Sequence, residues 1–190
     1  MYKIRFRFRL LGLETDFSLA GLSGQASATS VLVVFGGGGT ALQTTSAKQD
    51  TDWYGTIRGR AGFLATPNLL LFGTGGFAYG RVAGSANYLQ TGGGTVSVAG
   101  GGFSFVCTIG QVCFAGSSSE IRTGFTAGGG GEWLLDQHWS AKIEYQFVDL
   151  GTQTVRVTAV ATAPGTIPAS FNAAFRDQFH VVRVGLNYRY

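Results

Sequence analysis

Residues 180–190 read H-V-V-R-V-G-L-N-Y-R-Y, and this stretch decides the fold. Counting back from its end, every second residue is bulky and apolar or aromatic: Tyr190, Tyr188, Leu186, Val184 and Val182. The residues between them are Arg189, Asn187, Gly185, Arg183 and Val181. A period of two places the two sets on opposite faces of a β-strand. The stretch therefore predicts a strand with one apolar face that ends in aromatics and one largely polar face.

Such a strand fits two kinds of fold. In a soluble sandwich its apolar face packs on a core, whereas in an outer-membrane barrel that face meets lipid and the polar face lines the lumen. An aromatic residue that closes an alternating strand favours the barrel, and the rest of the chain must separate the two.

The bulk properties exclude several classes of protein. A chain of 190 residues is one domain. Only 13% of its residues are charged and 13% are aromatic, which argues against disorder. No stretch approaches the ~18 consecutive apolar residues of a transmembrane helix, so a membrane protein of this sequence would have to be a barrel. The first residues lack the continuous apolar segment of a signal peptide, so we expect the chain to be either a mature fragment of an exported protein or a sequence whose start is placed downstream of the true one.

Five stretches alternate in this way and a sixth, residues 69–82, is apolar on both faces; long and short connections follow one another between them. They predict strands at about residues 2–18, 53–65, 69–82, 121–134, 139–150 and 179–190. The segments between them predict long loops at about residues 20–52, 83–120 and 151–178. Outer-membrane barrels alternate long external loops with tight periplasmic turns in this manner. Both termini are then expected in the periplasm.

The first stretch is basic on one face and changes phase at Leu10–Leu11, which predicts a β-bulge or a break between two strands. Its arginines and interleaved aromatics are superficially like a nucleic-acid patch. No recognisable nucleic-acid-binding fold follows, so we expect one charged strand face and no nucleic acid partner.

The large aromatic residues lie at the ends of the predicted strands. The predicted aromatic girdles consist of Trp53 at the outer rim and Trp133, Trp139, Tyr188 and Tyr190 at the periplasmic rim. Two such belts mark the two interfaces of a membrane, and a soluble barrel has no reason to sort its tryptophans this way. The pattern predicts a membrane barrel.

Several stretches also resemble a known family. They are D-W-Y-G-T-I-R-G-R-A-G-F (52–63), L-L-L-F-G-T-G-G-F-A-Y-G (69–80), W-S-A-K-I-E-Y-Q-F-V-D-L-G (139–151), L-G-L-E-T-D-F (11–17) and the last eleven residues. These are similar to the alphaproteobacterial outer-membrane immunogenic protein family, a porin-like group within the opacity and OmpA-membrane-domain superfamily. The resemblance implies an all-β, antiparallel up-and-down transmembrane β-barrel of the eight-stranded type, of which six strands are recognisable here. The family's first two strands have no counterpart, so either the chain is truncated or residues 2–10 and a loop segment supply the missing edge.

Nine charged side chains are predicted to face the lumen. They are Glu14, Asp16, Arg58, Arg60, Glu132, Lys142, Glu144, Arg183 and Arg189. Both signs are present, and an unpaired charge in such an interior would be costly. We therefore expect a structural network of ion pairs that fills the lumen. The alternative is a charged eyelet for small solutes.

Two cysteines, Cys107 and Cys113, lie in the second predicted external loop. In an oxidising compartment a local disulfide is the simplest interpretation. The only histidines are His138 and His180, which lie elsewhere, so we expect no metal site. No Ser-His-Asp arrangement, phosphate-binding loop or H-E-x-x-H motif is present, so neither catalysis nor a cofactor is expected.

These features predict a non-enzymatic protein of the bacterial outer membrane with a structural and surface-interaction role. The expected partners are outer-membrane lipid and lipopolysaccharide, the barrel-assembly machinery through the C-terminal strand and, as the family resemblance implies, external surface ligands at the loops. A low-conductance channel for small hydrophilic solutes is the alternative function. A soluble calycin-like binder of apolar ligands is a third possibility.

Overall fold

Long antiparallel strands account for nearly all of the chain in the computed structural model, which describes residues 10–34, 39–100, 103–160 and 167–188. In chain order the strands are β1 (Leu10–Val34), β2 (Gly39–Thr66), β3 (Leu69–Gly93), β4 (Val96–Gly100), β5 (Phe103–Cys107), β6 (Val112–Leu134), β7 (Trp139–Ala159), β8 (Ile167–Pro168) and β9 (Ser170–Tyr188). Nowhere in these ranges is there a helix of the length and apolar character needed to span a membrane.

The six long strands form one sheet in the order β1-β2-β3-β6-β7-β9, and every neighbouring pair is antiparallel. This confirms the predicted all-β, up-and-down fold and its six strands. The short strands β4, β5 and β8 form a second sheet, in which β5 and β8 are parallel. Within the described ranges, β1 and β9 have no backbone pairing with each other.

The sheet is strongly curved. Arg58 on β2 contacts Glu144 on β7, although β3 and β6 lie between these strands in the sheet. Arg183 on β9 reaches Asp16 on β1 with a nitrogen–oxygen distance of 3.1 Å. In a flat sheet the two edge strands would be roughly 24 Å apart, because neighbouring strands are spaced by about 4.8 Å. The sheet therefore curls around an interior until its edge strands face each other.

The two ends of the sheet differ. One end, here called the turn end, carries the two short connections at residues 67–68 and 135–138. The Asp136 carboxylate caps the second turn by accepting hydrogen bonds from the backbone N–H groups of His138 and Trp139, each at 2.8 Å. These bonds hold the pKa of Asp136 below its usual range. The opposite end, the hairpin end, carries the three long excursions.

The predicted loop boundaries need correction, because most of residues 20–52, 83–120 and 151–178 is strand. β1 continues to Val34 and β2 begins at Gly39, so residues 20–34 and 39–52 of the first predicted loop are strand, and residues 35–38 lie outside the described residues. The extensions are built from small and polar residues that pair as regularly as the rest; Thr29 and Thr44, for example, share a hydrogen bond of 3.0 Å. They lack bulky apolar residues at a constant phase, which is why the pattern predicted loops. The first eight residues of the predicted strand 2–18 lie outside the described residues. The bulge or break predicted at Leu10–Leu11 is not seen in the pairing with β2, because Leu10 and Leu11 pair in one register with Gly62 and Ala61 and the shift of β1 lies between Leu19 and Leu22 instead.

Shifts of register interrupt the strands at the level where the sequence predicts that the long loops begin. They fall between Leu19 and Leu22 on β1, between Thr51 and Trp53 on β2, and between Asp149 and Gly151 on β7. Gly151 has a positive φ of 82°, which is the glycine conformation of a G1 bulge. After a one-residue shift, every side chain further along the strand points to the opposite face of the sheet.

The polarity of the two faces inverts at this level. Towards the turn end the exposed side chains are apolar, for example Leu13 at 80% and Val184 at 79%, while Glu144 is buried. Past the bulge of β7 the buried residues are Gln153, Val155, Val157 and Ala159, mostly apolar, and the residues that alternate with them are polar. The apolar-faced segments are residues 10–19, 53–66, 69–81, 121–134, 139–148 and 179–188. Each is 10 to 14 residues long, which is enough for a tilted transmembrane strand of about 9–11 residues.

Candidate functional site in the lumen

The interior of the apolar-faced segments is filled by charged side chains of both signs. Glu14 lies opposite Arg58 in the register of β1 and β2, so the two strands place their charges side by side. The Arg58 guanidinium lies 2.8 Å from Asp16 and 3.5 Å from Glu14, and it also pairs with Glu144. Arg58 is 2% exposed and Glu144 is 2% exposed. Both are therefore removed from water and depend on their partners.

Arg60 links two acids on opposite sides of the interior. Its two terminal nitrogens donate to Glu14 at 2.8 Å and to Glu132 at 2.9 Å. Its guanidinium carbon lies 3.7 Å from the centroid of the Phe72 ring, a cation–π contact that helps to hold the side chain in place. Glu132 also accepts a hydrogen bond of 2.7 Å from the Ser140 hydroxyl.

Arg183 joins the two edge strands through their side chains. Its Nη2 donates to Asp16 at 3.1 Å, to the Ser18 hydroxyl at 3.0 Å and to the Tyr54 hydroxyl at 2.9 Å. The remaining cation, Lys142, lies 2.8 Å from Glu144. A cleft of about 530 Å³ opens between β1 and β9 beside these groups.

The structure thus brings together eight of the nine predicted lumen residues. These eight form the interior ion-pair network: Glu14, Asp16, Arg58, Arg60, Glu132, Lys142, Glu144 and Arg183. Four are acids and four are bases, so the network is formally neutral. The ninth, Arg189, lies outside the described residues.

An apolar layer that the sequence reasoning missed crosses the interior next to the network, on the side of the hairpin end. Its core is Tyr54, Ala78, Val82, Val148 and Leu150, and Ala20, Phe179 and Val181 pack against it. Val82, Val148 and Leu150 are all fully buried. The signal was present in the sequence, since the inward positions of β7 change from Ser140, Lys142 and Glu144 to valine and leucine before the bulge.

A polar group with two acids lies just beyond this layer, outside the apolar-faced segments. Asp177 is 6% exposed, and its Oδ1 accepts a long hydrogen bond of 3.5 Å from Thr51. Burial raises the pKa of Asp177. Asp149 differs, because the Arg176 guanidinium at 2.9 Å and the Gly151 N–H at 2.8 Å hold its pKa below the usual range.

The strands β4 and β5 form a hairpin, here called the cap, over the hairpin end. Val96 on β4 packs with Ala41 of β2 and with Cys107 and Cys113. On its other side the cap pairs with β8, which belongs to the connection between β7 and β9. The two cysteines, with Cα atoms 5.4 Å apart, are joined by a disulfide bond that ties the end of the cap to β6.

The aromatic residues form two belts, although Trp53 does not end a strand as predicted. β2 continues for fourteen residues past Trp53 towards the hairpin end, so this residue marks the end of the apolar face. Its ring lies 5.5 Å from Phe17 and 6.1 Å from Tyr79. At the turn end Trp139 packs on Tyr188 at 5.0 Å. Trp133 is also exposed there, and Tyr190 lies outside the described residues.

The separation of the belts matches the thickness of a membrane. In the register of β3, Trp133 lies opposite Leu69 and Trp53 lies opposite Arg81. Twelve residues of strand span about 40 Å, or roughly 30 Å along the axis of a barrel whose strands tilt by about 40°. The apolar band of an outer-membrane barrel is about 25 Å tall.

The described residues offer no group of three or more His, Cys, Asp or Glu side chains arranged to hold a metal ion. The four acids of the interior ion-pair network are instead each bound to a cation. In this arrangement the acids and bases of the network neutralise each other's charge.

Comparisons with known proteins agree with this geometry. The family model for the outer membrane protein beta-barrel domain matches residues 5–190. The chain is 32% identical over 181 residues to the 31 kDa outer-membrane immunogenic proteins of Brucella melitensis biotype 1 and Brucella suis biovar 1. The match covers 95% of this chain and 59% of each relative, so the chain spans somewhat more than half their length. No solved structure matches the chain. The matches favour the membrane barrel over the soluble calycin-like alternative.

Proposed function

We propose that this chain, which belongs to the outer membrane protein beta-barrel domain family, is a non-enzymatic outer-membrane protein with a sealed lumen that displays its long hairpins outside the cell. The single observation that carries the proposal is the apolar layer of Tyr54, Val82, Val148 and Leu150, directly beside the interior ion-pair network.

The two layers oppose the passage of solutes for different reasons. In the network every acid is bound to a cation, so an entering ion would have to displace an existing partner. In the apolar layer an ion would lose its water without gaining a polar contact, which is very costly. The cap packs on β2 and pairs with β8, so it adds a further obstacle at the hairpin end. In this proposal the charges have a structural role and hold the curled sheet together.

The hairpin end is assigned to the outside and the turn end, with both termini, to the periplasm. Short turns on the periplasmic side and long excursions outside are the usual arrangement of such barrels. A disulfide in the cap also suits an oxidising compartment.

The exposed apolar band and its aromatic belts would contact outer-membrane lipid and lipopolysaccharide. The C-terminal strand β9, with Leu186 and Tyr188 exposed, would be the segment that the barrel-assembly machinery recognises. The Brucella relatives are described as immunogenic. Outward hairpins of this size would give the present chain the same opportunity to be a surface antigen and to contact external ligands.

A low-conductance channel is the competing function, and the cleft of about 530 Å³ between β1 and β9, which has charged side chains in its walls, is the observation that favours it. Its lining includes Glu14, Asp16, Lys142 and Arg183, which could guide small hydrophilic solutes.

Planar-bilayer recordings of the refolded protein separate the two functions. The sealed lumen predicts no steady single-channel current. The double variant Val148→Gly/Leu150→Gly removes two side chains of the apolar layer and leaves the ion-pair network in place, so it should pass more current than the unmodified protein without forming a wide pore. The matched control Ile143→Gly/Val184→Gly removes two apolar side chains from the exposed face and should stay silent. A shift in gel mobility on boiling verifies that each variant is folded. A steady current through the unmodified protein would overturn the proposal.

A further inference from the structure

Among the described acids at the level of the bulges, Asp177 is the one without an ion pair. The other four each pair with a base at nitrogen–oxygen distances of 2.8 to 3.8 Å: Asp50 with Lys48, Asp52 with Arg81, Glu120 with Arg122, and Asp149 with Arg176. Asp177 is also the acid that is 6% exposed while it lacks a cation. Its charge is therefore removed from water and is not neutralised by the chain.

The hydrogen bonds of Asp177 do not compensate for its burial. Its Oδ1 accepts a long bond of 3.5 Å from Thr51, and Gln49, its other hydrogen-bonding neighbour, is also neutral. Among the described residues, no group donates a hydrogen bond to its Oδ2. Burial raises the pKa of Asp177, and the negative charge of Asp149 raises it further. A buried carboxylate in this state is costly, and a bound positive charge removes that cost.

A cavity of about 280 Å³ lies beside Asp177, between the edge strands β1 and β9. Its walls are residues 22–24 of β1, Gln49 and Thr51 of β2, and residues 176–179 of β9. Ligand pockets usually measure about 300–1,000 Å³, so a cavity of this size suits a small molecule. It lies beyond the apolar layer, on the side of the hairpin end, and is separate from the interior ion-pair network.

The walls of the cavity favour one class of cation. A calcium ion takes about six to eight oxygen ligands, several of them carboxylates, and the described residues hold no group of three His, Cys, Asp or Glu side chains that suits a metal ion. An ammonium group needs three hydrogen-bond acceptors. Asp177, Ser23 and Thr51 all line the cavity and carry acceptor oxygens. Leu22 and Phe179 add apolar surface to the same walls.

We propose that this cavity binds a small primary amine, with its ammonium group on the Asp177 carboxylate and its methylene groups against Leu22 and Phe179. The ammonium group neutralises the buried acid, and the methylene groups gain apolar contact. The site goes beyond the proposed function and does not depend on it, because a ligand held beyond the apolar layer leaves the lumen as it is.

Calorimetric titration of the full chain, refolded in a non-ionic detergent at pH 7, tests the site with n-butylammonium chloride as the probe. The unmodified protein should show saturable binding of one amine. Asp177→Asn keeps the shape of the side chain and removes its charge, so it should weaken binding by more than about tenfold. Asp50→Asn is the matched control, because it removes an acid of the same level that already has Lys48 as its partner, and its affinity should be unchanged. A shift in gel mobility on boiling verifies that each variant is folded.

Two results of this titration would overturn the proposal: no saturable binding to the unmodified protein, or equal affinity in Asp177→Asn. In either case, silent bilayer recordings of the same samples would leave the sealed lumen standing.

Related probes test the ammonium group and the methylene groups separately. n-Butanol lacks the charge and tetramethylammonium lacks N–H donors, so both should bind more than about tenfold more weakly than n-butylammonium. Leu22→Ala should weaken the binding of n-butylammonium severalfold and leave that of methylammonium unchanged, because only the longer amine loses apolar contact. Leu19→Ala, on the same strand but outside the cavity walls, should leave both unchanged. Equal competition by sodium or tetramethylammonium would show that the cavity holds a positive charge of any kind, which contradicts the assignment to a primary amine.

Discussion

Arg58 on β2 and Glu144 on β7 form a buried ion pair across the interior, although 86 residues separate them along the chain. Two strands lie between them in the sheet, so the pair exists only while the sheet is curled. Each partner has a second ion pair, Arg58 with Asp16 and Glu144 with Lys142. The pair therefore connects the network on both sides of the interior, and opening the sheet would break several charge contacts at once.

Replacing Arg58 should destabilise the fold strongly. Arg58→Met leaves Glu144 and Asp16 without this cation, and breaking a buried pair costs about 3–5 kcal/mol of the free energy of unfolding. Urea unfolding in detergent micelles, followed by tryptophan fluorescence, measures the loss. The control Lys48→Met breaks a pair whose lysine side chain is 54% exposed and should cost at most about 1 kcal/mol. Equal losses in the two variants would show that the network does not support the fold.

The lumen residues could be predicted from the sequence because the alternation keeps one phase within each apolar-faced segment. Arg58 and Arg60 share a phase with Thr56, and all three point inwards as expected. What could not be predicted lies beyond the bulges. The shift at Gly151 moves Val155 and Val157 to the inside, and no pattern of fixed phase reveals that exchange. Asp177 could not be predicted as buried, because it lies in a segment whose small and polar residues predict a loop.

A side chain at Gly151 should destabilise the bulge at which the inward and outward faces of β7 exchange. Its φ of 82° is one that L-residues rarely adopt, so Gly151→Ala is expected to cost about 1–2 kcal/mol of the free energy of unfolding. The added Cβ would meet only the Arg122 side chain, at 3.4 Å, so the cost comes from the backbone. Gly12→Ala is the control, because nothing lies within 4 Å of its added Cβ. Chemical denaturation of both variants gives the comparison, and a Gly151→Ala protein as stable as Gly12→Ala would argue against the bulge.

Asp177 and Asp149 should respond to pH in opposite directions. Burial raises the pKa of Asp177 above its ordinary value of 3.8, so the folded state binds this proton more tightly than the unfolded state does. The resulting stability is complete below pH 3.8 and is lost as the pH rises through the folded pKa. Asp177→Asn should therefore be more stable than the unmodified protein at pH 7, and this advantage should disappear in acid.

Asp149 provides the matched comparison, because Arg176 lowers its pKa. Its contribution is present above the unfolded pKa of 3.8 and is lost as the pH falls through the folded value. Asp149→Asn should be less stable than the unmodified protein at pH 7. Unfolding midpoints of both variants, measured from pH 3 to pH 7, test these predictions. If the two substitutions change the stability in the same direction at pH 7, the opposite pKa shifts of Asp177 and Asp149 are contradicted.

Removing the disulfide should loosen the cap and leave the sheet intact. Closure of the small loop between Cys107 and Cys113 is worth about 2 kcal/mol in the chain-entropy model. In Cys107→Ser/Cys113→Ser, hydrogen exchange should accelerate in β4 and β5, while β2 and β3 near Arg58 keep their protection. Ser97→Ala, in the same hairpin but away from the disulfide, serves as the control. Faster exchange throughout the six-stranded sheet would mean that the disulfide holds the whole fold rather than the cap.

The three tryptophans should report the two membrane interfaces separately. In single-tryptophan variants made by Trp→Phe replacement, bromines near the lipid headgroups should quench Trp53, Trp133 and Trp139 more strongly than bromines at the acyl ends, since aromatic belts lie at headgroup level. An impermeant aqueous quencher added on one side of oriented vesicles should then distinguish Trp53 from Trp133 and Trp139, because the register of β3 places them about twelve residues apart.

Strongest quenching by bromines at the acyl ends would place the tryptophans at the centre of the bilayer. Equal quenching of all three from one side would place both belts at the same interface, and either result would contradict the membrane-spanning segments assigned to the sheet.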